Sequence, residues 1–200
     1  MKLQSLFSQL EKTRISNYTD YNLFLAPLYP DPDSIDNYIP DKEGEKYFVE
    51  QACRSITVQK QGSMPLDTNT SGRILLLGSL NCFFRDALLR YPNAGQVYFN
   101  YETGPNETQW VIDQLPDISA NYSTIIICVS SENHVKIANY FKNKGKKVII
   151  LSTMSPELTK SLDWCDTILL GYSWRCEYSL KAMLAALNGE YVPKGVKPYQ

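Results

Sequence analysis

The chain has 200 residues, of which 44% are hydrophobic, and its 20 basic and 21 acidic residues give a net charge of −1. This apolar content is enough to build a core and excludes intrinsic disorder as the main state. The weak charge argues against a nucleic-acid partner bound through bulk charge and against a polybasic membrane anchor. No apolar run approaches the roughly 18 residues of a membrane span. Polar residues interrupt the segment after Met1, so no signal peptide is predicted, and the expected localisation leans towards the cytoplasm.

The cysteines and the histidine limit the metal and redox chemistry of the chain. Five cysteines form no Cys-x-x-Cys motif, and their odd number does not suit a disulfide framework. A single histidine, His134, excludes a histidine-rich metal site. We therefore expect no metal ion and no other cofactor.

The first 72 residues differ in pattern from the rest of the chain. Apolar residues at helical spacing predict a helix over residues 3–15, and four prolines then break the segment 17–40. A second helix is predicted over residues 42–58, followed by a glycine- and proline-containing linker over 61–72. We expect residues 1–72 to form a helical and extended linker region without a strong strand.

From residue 73 onward, short apolar runs alternate with helical patterns. Strands are predicted over residues 73–77, 96–101, 124–129, 147–151 and 167–170, and helices over 83–90, 107–115, 134–143, 156–162 and 177–187. The apolar runs are continuous, which is typical of strands buried on both faces. Residues 73–200 are therefore predicted to form a three-layer αβα sandwich around a mostly parallel, five-stranded sheet. The flavodoxin-like strand order 2-1-3-4-5 is the expected solution.

In an open α/β sheet of this kind, ligands bind beyond the carboxyl ends of the strands. The loops predicted there have no dinucleotide-binding glycine pattern, no P-loop and no nucleophile elbow, and no catalytic residue can be assigned. The candidate substrate-binding residues in these loops are Ser79, Asn81, Glu102, Ser130, Glu132, His134, Tyr172 and Trp174.

Several of these candidates have a structural alternative. The hydroxyls of Ser130 and Ser131 can hold an anion or cap the following helix. Glu132 can act as a general acid or simply favour the positive end of that helix. His134 can be an acid or a base, but a histidine without a paired nucleophile is more often a surface or helix-start residue. The aromatic side chains in 172–174 can stack on sugar rings or form a domain interface.

Three segments carry a resemblance to a known family. Residues 54–67 match a family segment in which a helix runs into a short strand, and residues 72–78 match the first sheet strand. Residues 140–198 match best, with a tyrosine at 172 after the last strand and a final helix that ends near Gly189. This succession resembles the C-terminal α/β sandwich domain of glycoside hydrolase family 3, most closely in its β-N-acetylhexosaminidase-like branch.

The resemblance implies a role in the hydrolysis of O-glycosyl bonds. In that family a preceding (β/α)8 barrel carries the aspartate nucleophile. The reaction also needs a second acid/base group. In the hexosaminidase branch of the family this is a histidine–aspartate pair on a barrel loop, and in the β-glucosidase branch it is a glutamate of the C-terminal domain. Glu102 and Glu132 match that glutamate by location only. The resemblance therefore implies an accessory domain, inactive alone, whose partners are a catalytic barrel of the same or an adjacent polypeptide and a carbohydrate. Residues 1–72 would then lie on the barrel side.

Two other functions stay open at the level of sequence. Residues 123–153 superficially resemble phosphosugar-binding isomerase domains, which place a hydroxyl-rich loop after a strand, so a free-standing sugar or phosphosugar-binding module is the alternative. An oligomerisation or scaffold domain is the third interpretation.

Overall fold

The computed structural model of the chain describes residues 42–67, 69–102, 104–173 and 177–197. The chain divides into two compact units, Met1–Glu45 and Lys46–Gln200. The helix predicted over residues 3–15 and the proline-rich segment 17–40 lie outside the described residues. Among the described helices, none is both long enough and apolar enough to cross a membrane.

A mostly parallel sheet forms the centre of the second unit. Its strands in the described part of the chain are β1 Thr57–Lys60, β2 Ile74–Gly78, β3 Gly95–Tyr98, β4 Thr124–Val129, β5 Lys147–Ser152 and β6 Thr167–Leu170. They lie in the order β1-β6-β5-β4-β2-β3, and all neighbours from β6 to β3 are parallel. Numbered from β2, this is the predicted order 2-1-3-4-5, and the predicted fold class is confirmed.

β1 is an additional strand, so the sheet has six strands among the described residues and not the predicted five. It runs antiparallel to β6, with Thr57 opposite Leu170 and Val58 opposite Leu169. The helix predicted over residues 42–58 ends at Ser55. Three consecutive β-branched residues, at 56–58, follow this end and favour extended backbone over helix.

Helices cover both faces of the sheet. They are α1 Lys42–Ser55, α2 Asn81–Leu88, α3 Pro105–Ser119, α4 Glu132–Asn139, a 3-10 helix Pro156–Leu162 and α5 Glu177–Leu187. Helices α2 and α5 pack together on one face, while α3, α4 and the 3-10 helix cover the other. The predicted three-layer arrangement is therefore confirmed.

Alternate strand residues supply two separate cores. Leu76 lies in a cluster with Phe83 of α2, whereas its neighbour Leu75 lies in the opposite cluster with Leu115 and Phe141. All five of these side chains are essentially inaccessible to solvent. Burial on both faces explains why the strands are continuous apolar runs and do not alternate with polar residues.

The segment between β1 and β2 is held by the end of the last helix. The amide of Leu66 donates to the carbonyl oxygen of Leu187 at 2.7 Å. Just before β1, the carbonyl oxygen of Ile56 accepts from the amide of Gly195 at 3.0 Å. This part of the predicted linker is thus tied to the sandwich. The assignment of residues 1–72 to the side of a barrel stays a prediction.

Candidate functional site

The carboxyl ends of the five parallel strands lie along one side of the sheet, which we call the carboxyl edge. The segments that follow these strands are residues 79–80, 99–102, 130–131, 153–155 and 171–173. Thr57 also lies at this edge, because antiparallel β1 pairs it with Leu170, the last residue of β6. Ligands of open α/β sheets bind at such an edge, so the candidate site lies here.

Five buried hydroxyl groups at the carboxyl edge have no hydrogen-bond partner. They belong to Thr57, Ser79, Ser152, Thr153 and Tyr172, and they are all of the unpartnered buried side-chain polar atoms found among the described residues. Ser152 and Thr153 are 0% exposed. A buried hydroxyl without a partner costs about 1–3 kcal/mol. Five such groups at one edge are a cost that the fold bears in this region, because none of them is accessible to a partner from outside the chain.

Tyr172 combines an unpartnered hydroxyl with an unusual backbone. Its φ is +51°, in the left-handed region that residues other than glycine rarely adopt. Its side chain packs against the core on the α3 and α4 face. A backbone of this kind costs about 1–3 kcal/mol and is concentrated at functional positions. The side chain that the sequence singled out after β6 is therefore a strong candidate at this edge.

His134 is a buried structural residue of the carboxyl edge. It lies in the first turn of α4 and is 0% exposed. Its Nδ1 accepts a hydrogen bond from the Ser130 amide at 3.2 Å and lies 3.0 Å from the Ser130 hydroxyl oxygen. The imidazole also packs on the ring of Phe99, with 4.7 Å between ring centroids. These contacts join the loop after β4 to the loop after β3.

The electrostatic environment keeps His134 neutral. Burial lowers the pKa of His134, and backbone hydrogen bonds with Asn100 and Tyr101 and the charge of Glu107 oppose this shift without cancelling it. Because Nδ1 accepts a hydrogen bond, the proton of the neutral ring lies on Nε2. Glu107 also fixes the loop after β3, since its carboxylate accepts from the Asn100 amide at 3.0 Å and from its side chain at 3.1 Å.

The hydroxyls of the two serines after β4 both make hydrogen bonds within the chain. Ser131 caps α4, because its hydroxyl accepts from the amide of His134 at 3.3 Å. The hydroxyl of Ser130 contacts His134, as described above. The hydroxyl of Ser131 therefore takes the capping role that the sequence left as one of two alternatives, whereas that of Ser130 contacts the His134 ring. Both hydroxyls are engaged within the chain, which weakens the phosphosugar-binding interpretation of this loop.

The remaining predicted residues lie at the rim or outside the described part of the chain. Asn81, Glu102 and Glu132 are exposed. Asn81 is the first residue of α2 and Glu132 is the first residue of α4. Trp174 lies outside the described residues. Within the described ranges, no group of three or more histidine, cysteine or acidic side chains is placed to hold a metal ion.

The sequence did not single out Thr57, Ser152 or Thr153. Ser152 and Thr153 directly follow the apolar run 148–151 of β5. The change from apolar to hydroxyl side chains at the end of a buried strand could have identified both residues as site candidates. Thr57 gave no such signal, because its place at the carboxyl edge depends on the pairing of β1 with β6.

The unpartnered hydroxyls predict an unusual response to isosteric substitution. Thr153→Val removes a hydroxyl that has no partner and is expected to raise the free energy of unfolding by up to about 1 kcal/mol. Thr124→Val is the matched control, because the hydroxyl of buried Thr124 donates to the carbonyl oxygen of Ser71 at 2.6 Å. It is expected to cost about 1–3 kcal/mol. Urea denaturation of both variants checks the difference, and equal losses would contradict it.

The fold has counterparts among solved structures, whereas no family model and no curated protein matches the chain by sequence. A glycoside hydrolase family 3 β-N-acetylglucosaminidase from Paenibacillus matches with a TM-score of 0.65 and 14% identity, over 80% of this chain and 33% of that chain. A β-glucosidase from Listeria innocua matches with a TM-score of 0.62 and 15% identity, over 88% of this chain and 30% of that chain.

A third solved structure belongs to a protein with a different stated activity. A β-glucoside phosphorylase, BglX, matches with a TM-score of 0.55 and 21% identity, over 92% of this chain and 36% of that chain. The chain thus spans about a third of the length of each of these three structures. The resemblance inferred from the sequence is confirmed at the level of the fold: the chain has the α/β architecture of a domain found within glycoside hydrolase family 3 enzymes.

Proposed function

We propose that this chain is the C-terminal accessory domain of a family 3 glycoside hydrolase that acts on β-glucosides or N-acetyl-β-glucosaminides. One observation carries the proposal: most of this chain matches a segment that makes up about a third of the length of each of three solved structures. These are described as a β-N-acetylglucosaminidase, a β-glucosidase and a β-glucoside phosphorylase. In this proposal the chain packs on a catalytic (β/α)8 barrel and shapes the rim of its active site.

The carboxyl edge is the surface that best fits this role. Asn81, Glu102 and Glu132 are exposed there, so polar side chains face whatever packs on this edge. A carboxylate accepts and an amide side chain both donates and accepts, so these groups match the backbone of a barrel loop and the hydroxyls of a sugar.

The proposal assigns no catalytic residue to this chain. A retaining glycosidase needs two carboxyl groups about 5 Å apart on either side of the sugar bond, and the family nucleophile belongs to the barrel. His134 is buried and neutral, and its Nδ1 already accepts a hydrogen bond from the amide of Ser130. Glu102 and Glu132 are exposed to solvent, and no contact among the described residues assigns either of them a catalytic role.

The purified chain is therefore expected not to hydrolyse aryl N-acetyl-β-glucosaminides or aryl β-glucosides. Release of the aryl group, followed by absorbance, is the measurement. Turnover that is lost in Glu132→Gln and retained in the control Glu50→Gln would overturn the proposal, because both glutamates are exposed on a helix but only Glu132 follows the carboxyl end of a parallel strand.

A further inference from the structure

A cavity of about 390 Å³ lies at the opposite side of the sheet from the carboxyl edge, where β5 and β6 begin. Its lining includes three lysines, Lys60, Lys146 and Lys147, together with Trp164 and Asp166. Positive charge is therefore concentrated in one concave place on a chain whose net charge is −1. A concave wall of one sign raises the local concentration of small ions of the other sign.

Backbone carbonyl groups position two of these lysines without neutralising them. The Nζ of Lys146 donates to the carbonyl oxygens of Ser119 and Tyr122, at 2.8 and 2.7 Å. The Nζ of Lys60 donates to the carbonyl oxygen of Asp163 at 2.8 Å. An ammonium group has three donors, so each lysine keeps at least one N–H for a ligand. The partners are carbonyl oxygens and not carboxylates, so none of these contacts is an ion pair.

Asp166, the acidic residue of the lining, uses its carboxylate in hydrogen bonds within the chain. Asp166 Oδ2 accepts hydrogen bonds from the amide of Ser63 and from the hydroxyl of Thr167, both at 3.0 Å. The side chain of Lys147 makes no hydrogen bond or ion pair with any described residue, whereas its backbone amide donates to the carbonyl oxygen of Ser123 at 3.0 Å. The lining thus has more positive than negative charge, and its carboxylate already has partners.

Trp164 gives the cavity a flat apolar wall. Its indole N–H donates to the side-chain oxygen of Asn139 at 2.9 Å, which fixes the ring while its surface remains partly accessible. An aromatic face of this kind accepts the apolar face of a compact ring. We propose that this cavity binds a small organic anion, whose phosphate or carboxylate group lies among the lysines and whose ring lies against Trp164. This inference does not depend on the glycosidase proposal, which concerns the carboxyl edge.

Calorimetry on the full chain at low ionic strength tests the proposal with three matched probes. Glucose 6-phosphate and glucuronate carry the two kinds of anionic group on one ring, and glucose carries neither. We expect saturable binding of at least one anion, at least tenfold tighter than that of glucose and weakened by added salt. Whichever anion binds more tightly identifies the group that the lysines recognise.

The variants connect the binding to the cavity. Lys60→Gln with Lys147→Gln is expected to weaken anion binding at least tenfold, while Lys197→Gln, an exposed lysine outside the cavity, leaves it unchanged. Lys146 is retained because its carbonyl contacts also hold neighbouring loops. Circular dichroism confirms that the variants are folded, and the indole N–H signal of Trp164 is expected to shift on binding. Absence of saturable binding, equal binding of glucose, or full affinity in the double variant overturns the proposal.

Discussion

Replacing Gly62 with alanine is expected to lower the free energy of unfolding by about 2–4 kcal/mol. Gly62 follows β1 with a φ of +39°, which side-chain-bearing residues rarely adopt. A Cβ atom there would lie 1.9 Å from the carbonyl oxygen of Asp166 and 2.7 Å from the Thr167 hydroxyl. Both neighbours belong to the start of β6 and its approach, so the substitution forces β1 away from the sheet.

Gly104→Ala is the matched control for this substitution. Its φ is −76°, and an added Cβ would meet no atom within 4 Å. The expected change is within about 1 kcal/mol. Urea denaturation followed by circular dichroism measures both variants. Equal stabilities would mean that the segment after β1 does not fold together with the sheet.

The parallel part of the fold could be predicted from the sequence because its signals are local. The strand Thr124–Val129 is apolar from its second residue onward, and the neighbouring strands along the chain have similarly continuous apolar runs. Helical patterns separate these runs, and short connections between parallel strands restrict the topology to a few solutions. The flavodoxin-like order is a common one among these solutions, so it could be expected without knowledge of any specific contact.

β1 and the 3-10 helix show where local signals fail. β1 has only four residues, and its partner Leu170 lies more than a hundred positions after Thr57, so no local pattern specifies the pairing. Pro156–Leu162 starts as predicted, with the Ser155 hydroxyl accepting from the amide of Glu157, but it winds as a 3-10 helix. Start signals specify where a helix begins, whereas packing and length determine how tightly it winds.

For the candidate site, the sequence predicts which residues follow the strands but not which hydrogen bonds their side chains make. Ser79 and Ser130 occupy equivalent positions, each following a buried parallel strand. The hydroxyl of Ser130 meets an imidazole four residues later, whereas that of Ser79 meets no polar atom. Residue type and position are the same, and only the neighbours in space differ. Unpaired hydroxyls, which mark the edge most clearly, are therefore a property that the sequence does not reveal.

His134→Leu is expected to lower the free energy of unfolding by about 2–4 kcal/mol at pH 7.5. The leucine side chain fills most of the space of the imidazole but accepts no hydrogen bond. The amide of Ser130 then loses its partner in a buried position, and the packing of the ring on Phe99 is lost. Asn133→Leu, a substitution of the preceding, partly exposed residue, is the control and is expected to change stability much less.

The pH dependence of stability provides a second readout for His134. Burial lowers the pKa of His134 in the folded chain below its ordinary value of about 6.5, so the unfolded chain binds the proton more readily. Stability is therefore complete above about pH 6.5 and falls as the pH is lowered from there towards the folded-state pKa.

The window between pH 7.5 and pH 5 isolates this effect, because His134 is the single histidine of the chain. The hydrogen bonds from Arg90 lower the pKa of Glu190, but the stability that they provide is lost only below about pH 4.5. The melting temperature of the natural chain should thus fall more steeply across this window than that of His134→Leu. Equal slopes would mean that the folded chain tolerates a charged imidazole, and His134 would then regain its place as an acid/base candidate at the carboxyl edge.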